Sequence, residues 1–453
     1  MRRLLPLTIL LALVLAAPAA ASRTQSLTFE APRDLMNPDL RDGALDEIGS
    51  FGVRSLRVIL TWKSVAPAAN EAQRPNFEPT DPGAYDWSEY EPLMAAIKAR
   101  GWSVLMTISG PVPVWATQDK RDDKTRPSPS AFAAFVTAVG RKFGDQVDTW
   151  AIWNEPNQPQ FLRPQYADGG HAASPGIYRN LYLAGVRGLR KSGQGDDKIL
   201  IAETSPRGNS NVVAPLRFLR GMLCLDSRYK KRPKCSALPA DGYAHHAYTT
   251  RQGPFFKPPQ KDDVTIGVLS RLTTALDRAR SAGALTKRLP IYLTEFGIQS
   301  TPDTQQGVSL TQQVQYRAIS ERTAWNNPRV VAFSQYLLTD SEPTGPKQYG
   351  GFESGLRFAD GRPKPSLAGF RLPLAVKRTG SRVSIWGLVR PATGATSATV
   401  TYADGGGSFK RLRTVTTDAR GYFTLSSTWH QGRRWNLTWE GQSGSPVAAY
   451  QAP

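Results

Sequence analysis

Eight apolar segments of strand length recur along the chain, and stretches with helical periodicity separate them. The segments are SLTFEA (26–31), SLRVIL (55–60), SVLMTI (103–108), VDTWAIW (147–153), KILIAET (198–204), GYAHHAY (242–248), PIYLTEF (290–296) and VVAFSQYL (330–337). Near-continuous apolar strands that alternate with helices are typical of parallel sheets whose two faces are both covered. The pattern therefore predicts an α/β fold, a closed (β/α)8 TIM barrel. An open doubly wound sheet is the alternative, and it is less favoured because no glycine-rich dinucleotide turn follows the first strand.

The sequence pattern changes near residue 375, where the alternation of apolar strands and helices ends. Short alternating strands follow, separated by turn-forming stretches such as PATGAT, ADGGG and DARG. This pattern predicts a small C-terminal antiparallel β-sandwich over residues 375–453. We expect the barrel to occupy residues 22–372 and, because no long linker separates the two modules, we expect them to pack together.

The N-terminus has the pattern of a secretory signal peptide. Two arginines precede the apolar run 4–17, and small residues at 19–21 provide a cleavage site. Residues 1–21 are therefore expected to be removed and the mature protein to be extracellular, without a transmembrane anchor. Cys224 and Cys235 are the only cysteines. In an oxidising compartment we expect them to form a disulfide, worth about 3 kcal/mol in the chain-entropy model.

The formal net charge of +20 raises the question of an anionic partner. The excess of arginine and lysine is spread along the chain, and no helix-turn-helix, zinc-finger or RNP-like pattern accompanies it. We therefore expect a basic, solvated surface and no specific nucleic-acid binding. Electrostatic association with an anionic cell wall or an acidic polysaccharide is the alternative that we retain. A monomer is expected.

Reactive groups of a TIM barrel lie at the C-terminal ends of its strands. The polar and aromatic side chains at or near those positions are Arg57, Asn154, Glu155, His246, Tyr248, Glu295, Gln335 and Tyr336. Two of them, Glu155 and Glu295, are carboxylates that end the fourth and seventh predicted strands, and we expect them to flank one pocket. Glycoside hydrolysis requires such a pair, one group protonated and the other ionised.

The neighbours of the two glutamates suggest supporting roles. Arg57 and a tyrosine hydroxyl would keep Glu295 ionised, and Asn154 would bind a sugar hydroxyl. Adjacent strand residues face opposite ways, so only one of His245 and His246 can face the pocket, and we favour His246. No third ligand accompanies the two histidines, so neither a metal centre nor a cofactor is expected. The non-catalytic alternatives are that Arg57 forms a structural salt bridge and that the glutamates are solvated residues at strand ends.

Several motifs resemble those of the clan A retaining glycoside hydrolases, especially the β-xylosidase and α-L-iduronidase family and the cellulase-like family. The motifs are RVILTWKSVAP, the segment YDWSEYEPLMAAIKARGWSVLMTISGPVPVWA, WNEPN, LTEFG and GLRFADGRPKP, and the resemblance covers roughly residues 26–372. It implies that Glu155 is the acid/base and Glu295 the nucleophile. It also implies that Asn154 contacts the sugar 2-hydroxyl, that Arg57 and Tyr248 support Glu295, and that His246 lines the donor subsite.

The aromatic platform departs from the pattern of this clan. Many members have a tryptophan at the end of the eighth strand, where this chain has Gln335 and Tyr336. Trp115 or Trp153 could replace it, with a core position as the alternative for Trp153. Tryptophans of the C-terminal module could likewise stack on sugars or form its core, and they are Trp386, Trp429, Trp435 and Trp439.

The sequence as a whole predicts a secreted retaining O-glycoside hydrolase that acts on poly- or oligosaccharide by double displacement. A non-catalytic carbohydrate-binding barrel that docks on cell-wall polysaccharide is the alternative. The sugar, the anomer and the exo or endo mode are not predicted.

Overall fold

The computed structural model describes residues 25–343 and 351–451. The predicted signal peptide lies outside the described residues.

Eight parallel strands close into a barrel in which each strand pairs with the next and the last pairs with the first. They are β1 (Ser26–Glu30), β2 (Ser55–Thr61), β3 (Ser103–Ser109), β4 (Thr149–Ile152), β5 (Lys198–Thr204), β6 (Gly242–His246), β7 (Ile291–Glu295) and β8 (Val330–Tyr336). All eight coincide with the apolar segments of the sequence, and the predicted TIM barrel is confirmed. The closure brings the C-terminal ends of all eight strands to one rim.

Helices connect the strands and cover the outside of the barrel. They are α1 (Pro32–Met36), α2 (Pro38–Ser50), α3 (Trp62–Val65), α4 (Glu91–Ala99), α5 (Pro129–Phe143), α6 (Ser174–Lys191), α7 (Pro215–Met222), α8 (Ser270–Ser281), α9 (Leu310–Trp325) and α10 (Pro365–Arg371). Several start with the expected capping chemistry. Ser128 caps α5, which has proline at its first position, and Ser309 and Gln312 form a capping box at α9.

The C-terminal module is a mostly antiparallel, barrel-like sheet, which confirms the predicted small β-module. Its strands are β9 (Leu374–Thr379), β10 (Arg382–Leu388), β11 (Ser397–Ala403), β12 (Lys410–Thr416), β13 (Tyr422–Thr428), β14 (Arg434–Trp439), β15 (Gln442–Ser443) and β16 (Val447–Tyr450). The strand order is β12-β11-β14-β16-β9-β10-β13, with β15 paired to β14. One pair, β9 with β16, is parallel and departs from the wholly antiparallel expectation, because the first and last strands of the module run side by side and join its two halves.

The module packs against helix α9 of the barrel. The Trp325 ring lies 6.0 Å from Trp386 and 5.9 Å from Tyr422, centroid to centroid. Beside these rings, the Arg390 guanidinium donates to both carboxylate oxygens of Glu321, at 3.0 and 2.8 Å. This interface combines aromatic burial with a buried ion pair, so the two modules share a packed boundary.

The loop before β6 contains a disulfide. Cys224 and Cys235 form a disulfide in the loop between α7 and β6, as expected. Among residues 25–343 and 351–451, no helix has the length and apolar character needed to cross a membrane.

Candidate active site

The C-terminal rim of the barrel surrounds a cavity of about 620 Å³. Strand-end side chains that line it are Glu30, Asn154, Glu155, Tyr248, Glu295 and Tyr336, and Arg57 reaches it from within β2. Five of the six come from the strands on which the sequence predicted site residues, and Glu30 on β1 is an addition.

Glu155 and Glu295 meet across this cavity through His246. His246 Nδ1 lies 2.8 Å from Glu155 Oε1 and 3.2 Å from Glu295 Oε2, and the ligand atoms of the three groups all lie within 4.8 Å of one another. Strand pairing contributes to this arrangement, because His246 on β6 is in register with Glu295 on β7. The two carboxylates are therefore close enough to act on one bond.

Burial and neighbouring charges perturb the acid–base behaviour of this group. Burial raises the pKa of Glu155, and the charge of Glu295 adds to that, whereas the hydrogen bond and charge of His246 act in the opposite direction. Burial lowers the pKa of His246, but the two glutamates outweigh it and the net pKa is raised. Glu155, a carboxyl group whose pKa is raised, thus lies beside Glu295, which is paired with Arg57.

The Arg57 guanidinium is the electrostatic centre of the site, and its side chain is fully buried. Its Nη1 donates to Glu295 Oε1 at 3.0 Å and also to Glu30 Oε2, and its Nη2 donates to Asn154 Oδ1 at 2.8 Å. Nε and Nη2 hold the two oxygens of Glu203 at 3.1 and 2.8 Å. One planar fork therefore binds three carboxylates and orients the asparagine.

The sequence reasoning missed Glu30 and Glu203. Glu30 is the last residue of β1 and Glu203 lies one position before the end of β5, so the rule that selected Glu155 and Glu295 also applied to them. Burial raises the pKa of Glu30 to about 8, against the lowering effect of Arg57. Glu203 is fully enclosed behind the cavity, where it holds Arg57 in place.

The backbone after β4 and within β5 is unusual. Trp153, Glu155, Ala202 and Glu203 have φ angles of 73, 38, 92 and 47°, which non-glycine residues rarely adopt. The Glu155 N–H donates to the Glu203 carbonyl at 3.1 Å, so the two strained segments hold each other. Strain of this kind is characteristic of functional sites, and here it directs the Glu155 carboxyl into the cavity.

Three aromatic rings form one wall of the cavity. Tyr336 meets Phe352 edge-on, with 5.1 Å between centroids, and Tyr248 lies 5.9 Å from Phe352. Phe352 is 39% exposed and was not identified from the sequence, because it lies in a loop after β8. The Tyr248 hydroxyl has no hydrogen-bond partner in the described part of the chain, and its predicted support of Glu295 stays a prediction.

The structure places both tryptophans considered as platforms outside the cavity lining. Trp115 is 6% exposed, packs edge-on against Trp62 and donates its indole N–H to the Pro67 carbonyl at 3.1 Å. Trp153 is fully buried and donates to the Phe161 carbonyl at 3.2 Å. Neighbouring aromatic residues therefore enclose the Trp115 ring, which does not line the cavity.

Two other strand-end side chains face away from the cavity. Gln335 accepts a hydrogen bond from Arg317 Nε of α9 at 2.8 Å. His245 lies 2.9 Å from Thr204 Oγ1 and 2.8 Å from the Val264 carbonyl, which leaves His246 facing the two glutamates. Both side chains are structural.

No metal centre was expected at His245 and His246, because the sequence showed no third ligand beside them. The structure brings three possible ligands together, Glu155, His246 and Glu295. Arg57 pairs with Glu295 and His246 bonds Glu155, so each of the two carboxylates already has a partner within the protein.

No family model and no curated protein sequence matches the chain. Solved structures do resemble it. A glucosidase from Croceicoccus marinus is 12% identical, with 93% of this chain and 96% of that one covered and a TM-score of 0.56. A monomeric β-xylosidase from Caulobacter crescentus CB15 is 17% identical, with 93% and 97% covered and a TM-score of 0.53.

A GH39 enzyme from Xanthomonas axonopodis pv. citri is 15% identical to the chain. The alignment covers 92% of this chain and 94% of that one, with a TM-score of 0.54. At these identities the likeness establishes a shared fold across both modules.

Proposed function

We propose that the protein is a retaining O-glycoside hydrolase. The observation that carries the proposal is the meeting of Glu155 and Glu295 in one cavity, with carboxylate oxygens within 4.8 Å and Arg57 bound to Glu295. Retaining enzymes keep their two carboxyl groups about 5 Å apart, whereas inverting enzymes leave room for a water between them. The solved glucosidase, β-xylosidase and GH39 enzyme of similar fold support the same class of activity.

The reaction would proceed by double displacement. Glu155 gives its proton to the glycosidic oxygen while Glu295 attacks the anomeric carbon, which releases the aglycone and leaves a glycosyl ester on Glu295. Glu155, now a carboxylate, takes a proton from water as the water attacks the same carbon. The sugar leaves with its original anomeric configuration.

The electrostatics of the site suit this change of role. In the free enzyme the charge of Glu295 contributes to the raised pKa of Glu155 and helps it remain an acid. Formation of the glycosyl ester removes that charge, so the pKa of Glu155 falls and the group is ready to act as a base. Arg57 donates a hydrogen bond to the nucleophile Glu295, and it holds Asn154 beside the reacting centre.

The proposal is tested by trapping and by rescue. A fluorosugar inactivator with a good leaving group should label Glu295, as peptide mass analysis would show. Glu155→Ala should lose most activity on substrates with poor leaving groups. On an aryl glycoside with a good leaving group, azide should attack the glycosyl ester in place of water and restore turnover, giving a glycosyl azide of retained configuration. Glu78→Gln removes an exposed carboxylate that does not line the cavity and serves as the control. Inverted product from the wild type, or label on another residue, would contradict the mechanism.

The non-catalytic alternative makes a different prediction. A carbohydrate-binding barrel would bind glycans across a broad panel without turnover, and Glu155→Gln would leave its affinity nearly unchanged. The raised pKa of Glu155 and the strained backbone at that residue favour the enzyme.

We further propose that the protein is exported, degrades polysaccharide as a monomer and associates with anionic wall polymers. The signal-like N-terminus and the disulfide support export. Residues 374–451 contain ten lysines and arginines against three acidic residues. Trp386 and Trp435 are fully buried and Arg378 covers the Trp429 ring at 3.3 Å, so charge rather than aromatic stacking is the basis of this association. Salt-sensitive retention on an anionic polysaccharide would test it.

A further inference from the structure

Glu30 lines the cavity beside Glu295, and the proposed mechanism does not use it. Its Oε2 accepts a hydrogen bond from Arg57 Nη1, the same nitrogen that donates to Glu295 Oε1 at 3.0 Å. The Glu30 side chain is 4% exposed, and both Glu30 and Glu295 line the cavity. A sugar that reaches Glu295 therefore lies close to the Glu30 carboxyl.

The surroundings of Glu30 are acidic. Glu155 and Glu295 line the cavity with it, and so does the exposed Glu89. Glu203 lies enclosed behind the cavity, bound to Arg57. The cations that face this group are Arg57 and His246, and the three carboxylates on Arg57 use all of its donor nitrogens.

Among residues 25–343 and 351–451, the remaining neighbours of Glu30 that line the cavity include no buried cation. On the neighbouring strand β8, the residue in register with Glu30 is the uncharged Tyr336. Arg207 lines the cavity but is exposed, with its guanidinium 5.8 Å from the Phe256 ring. A sugar carboxylate at the base of the cavity would therefore meet negative charge without a free partner.

The chemistry of Glu30 suits a neutral hydroxyl. Burial raises its pKa to about 8, so near neutral pH the carboxyl group carries a proton. A protonated carboxyl can donate one hydrogen bond and accept another. It is thus complementary to a sugar hydroxyl, which also donates and accepts.

We propose that Glu30 binds a hydroxyl group of the sugar that reacts with Glu295, and that the acidic base of the cavity restricts that sugar to glycosides without a carboxylate. This inference rests on the proposed function and adds to it the class of sugar accepted and a specificity residue on β1.

The first test compares neutral aryl glycosides with the corresponding uronides. The wild type should hydrolyse the neutral member of the best pair at least about 100-fold more efficiently in kcat/KM, since a buried unpaired charge is strongly rejected. Glu30→Gln should leave this difference nearly unchanged, because Glu30 already carries a proton near neutral pH and its replacement removes no charge, and the exposed control Glu78→Gln should leave it unchanged as well. Equal efficiency on a uronide and its neutral partner would overturn the inference and leave the proposed function standing. Hydrolysis of no glycoside would overturn both.

The second test separates sugar binding from a structural role of Glu30. Deoxy analogues of the best substrate each lack one hydroxyl, and the wild type should lose roughly 10- to 100-fold in kcat/KM on the analogue that lacks the bound hydroxyl. Glu30→Ala should lose a similar factor on the parent substrate and no more on that analogue.

Glu30→Gln, which keeps the shape and a donor, should retain most activity on the parent substrate, and it carries the test if the alanine variant fails to fold. A uniform loss on the parent and every deoxy analogue would identify Glu30 as structural and overturn the inference.

Discussion

Replacing Arg57 by methionine is the perturbation that most directly tests the electrostatic account of this site. Methionine fills similar space but leaves Glu30, Glu203 and Glu295 without their shared cation. Glu30 already carries a proton near pH 7, because its pKa is about 8. The variant must therefore add a proton to at least one further buried carboxyl in order to fold.

The cost of that proton depends on pH. Protonating one carboxyl whose ordinary pKa is 4.5 costs about 3 kcal/mol at pH 7 and about 0.7 kcal/mol at pH 5, at 1.36 kcal/mol for each pH unit. The unfolded chain is ionised above its ordinary pKa and the folded variant is not, so the penalty grows as the pH rises. At pH 7 we expect Arg57→Met to lower the free energy of unfolding by about 3 kcal/mol in addition to the cost of the lost packing. At pH 5 this additional cost should be much smaller.

Denaturant unfolding followed by tryptophan fluorescence at the two pH values measures this difference. Arg317→Met is the matched control, because Arg317 is also buried but its partner Glu321 keeps the hydrogen bonds from Arg390 at 2.8 and 3.0 Å. Its destabilisation should change little between the two pH values. A loss for Arg57→Met that is below about 1 kcal/mol at pH 7, or that is equal at both pH values, would refute the reasoning.

Three further expectations follow from the same contacts. Replacing His246 by alanine removes the hydrogen bond and charge that lower the pKa of Glu155, so the alkaline limb of the kcat/KM profile should move to higher pH, and a shift to lower pH would contradict the arrangement. Replacing Cys224 and Cys235 by serine should lower the free energy of unfolding by about 3 kcal/mol in a denaturant titration, with kcat/KM unchanged because neither residue lines the cavity. Trp115→Phe should leave KM within about twofold of the wild type, since that ring is enclosed away from the cavity, and a large rise in KM would return it to the substrate-binding residues.

The fold could be predicted because its signal is local. Each barrel strand is buried on both faces, so its sequence is a nearly continuous apolar run. TWAI of β4 and IYLTE of β7, which ends at Glu295, are examples. The C-terminal module was predicted by the same local patterns. Its parallel pair of β9 with β16 was not, because pairing between the first and last strands of a module leaves no mark in either strand.

Parts of the site were predicted less completely, for a different reason. Glu30 and Glu203 end or nearly end their strands as Glu295 does, yet nothing in the sequence shows that Arg57 will reach both. Trp115 and Tyr336 are both large aromatic residues near strand ends, but only Tyr336 lines the cavity. Whether a ring faces the core or a cavity depends on neighbours that are distant in sequence.

The sequence by itself thus determined the barrel, the order of its strands and the two glutamates at the ends of β4 and β7, because strand length, burial and strand ends are properties of short segments. Only the tertiary structure decided that Arg57 lies between Glu203 and Glu295, which follow it by 146 and 238 residues. Distances of that kind exist only after the barrel closes, when strands far apart in sequence direct their ends into one cavity.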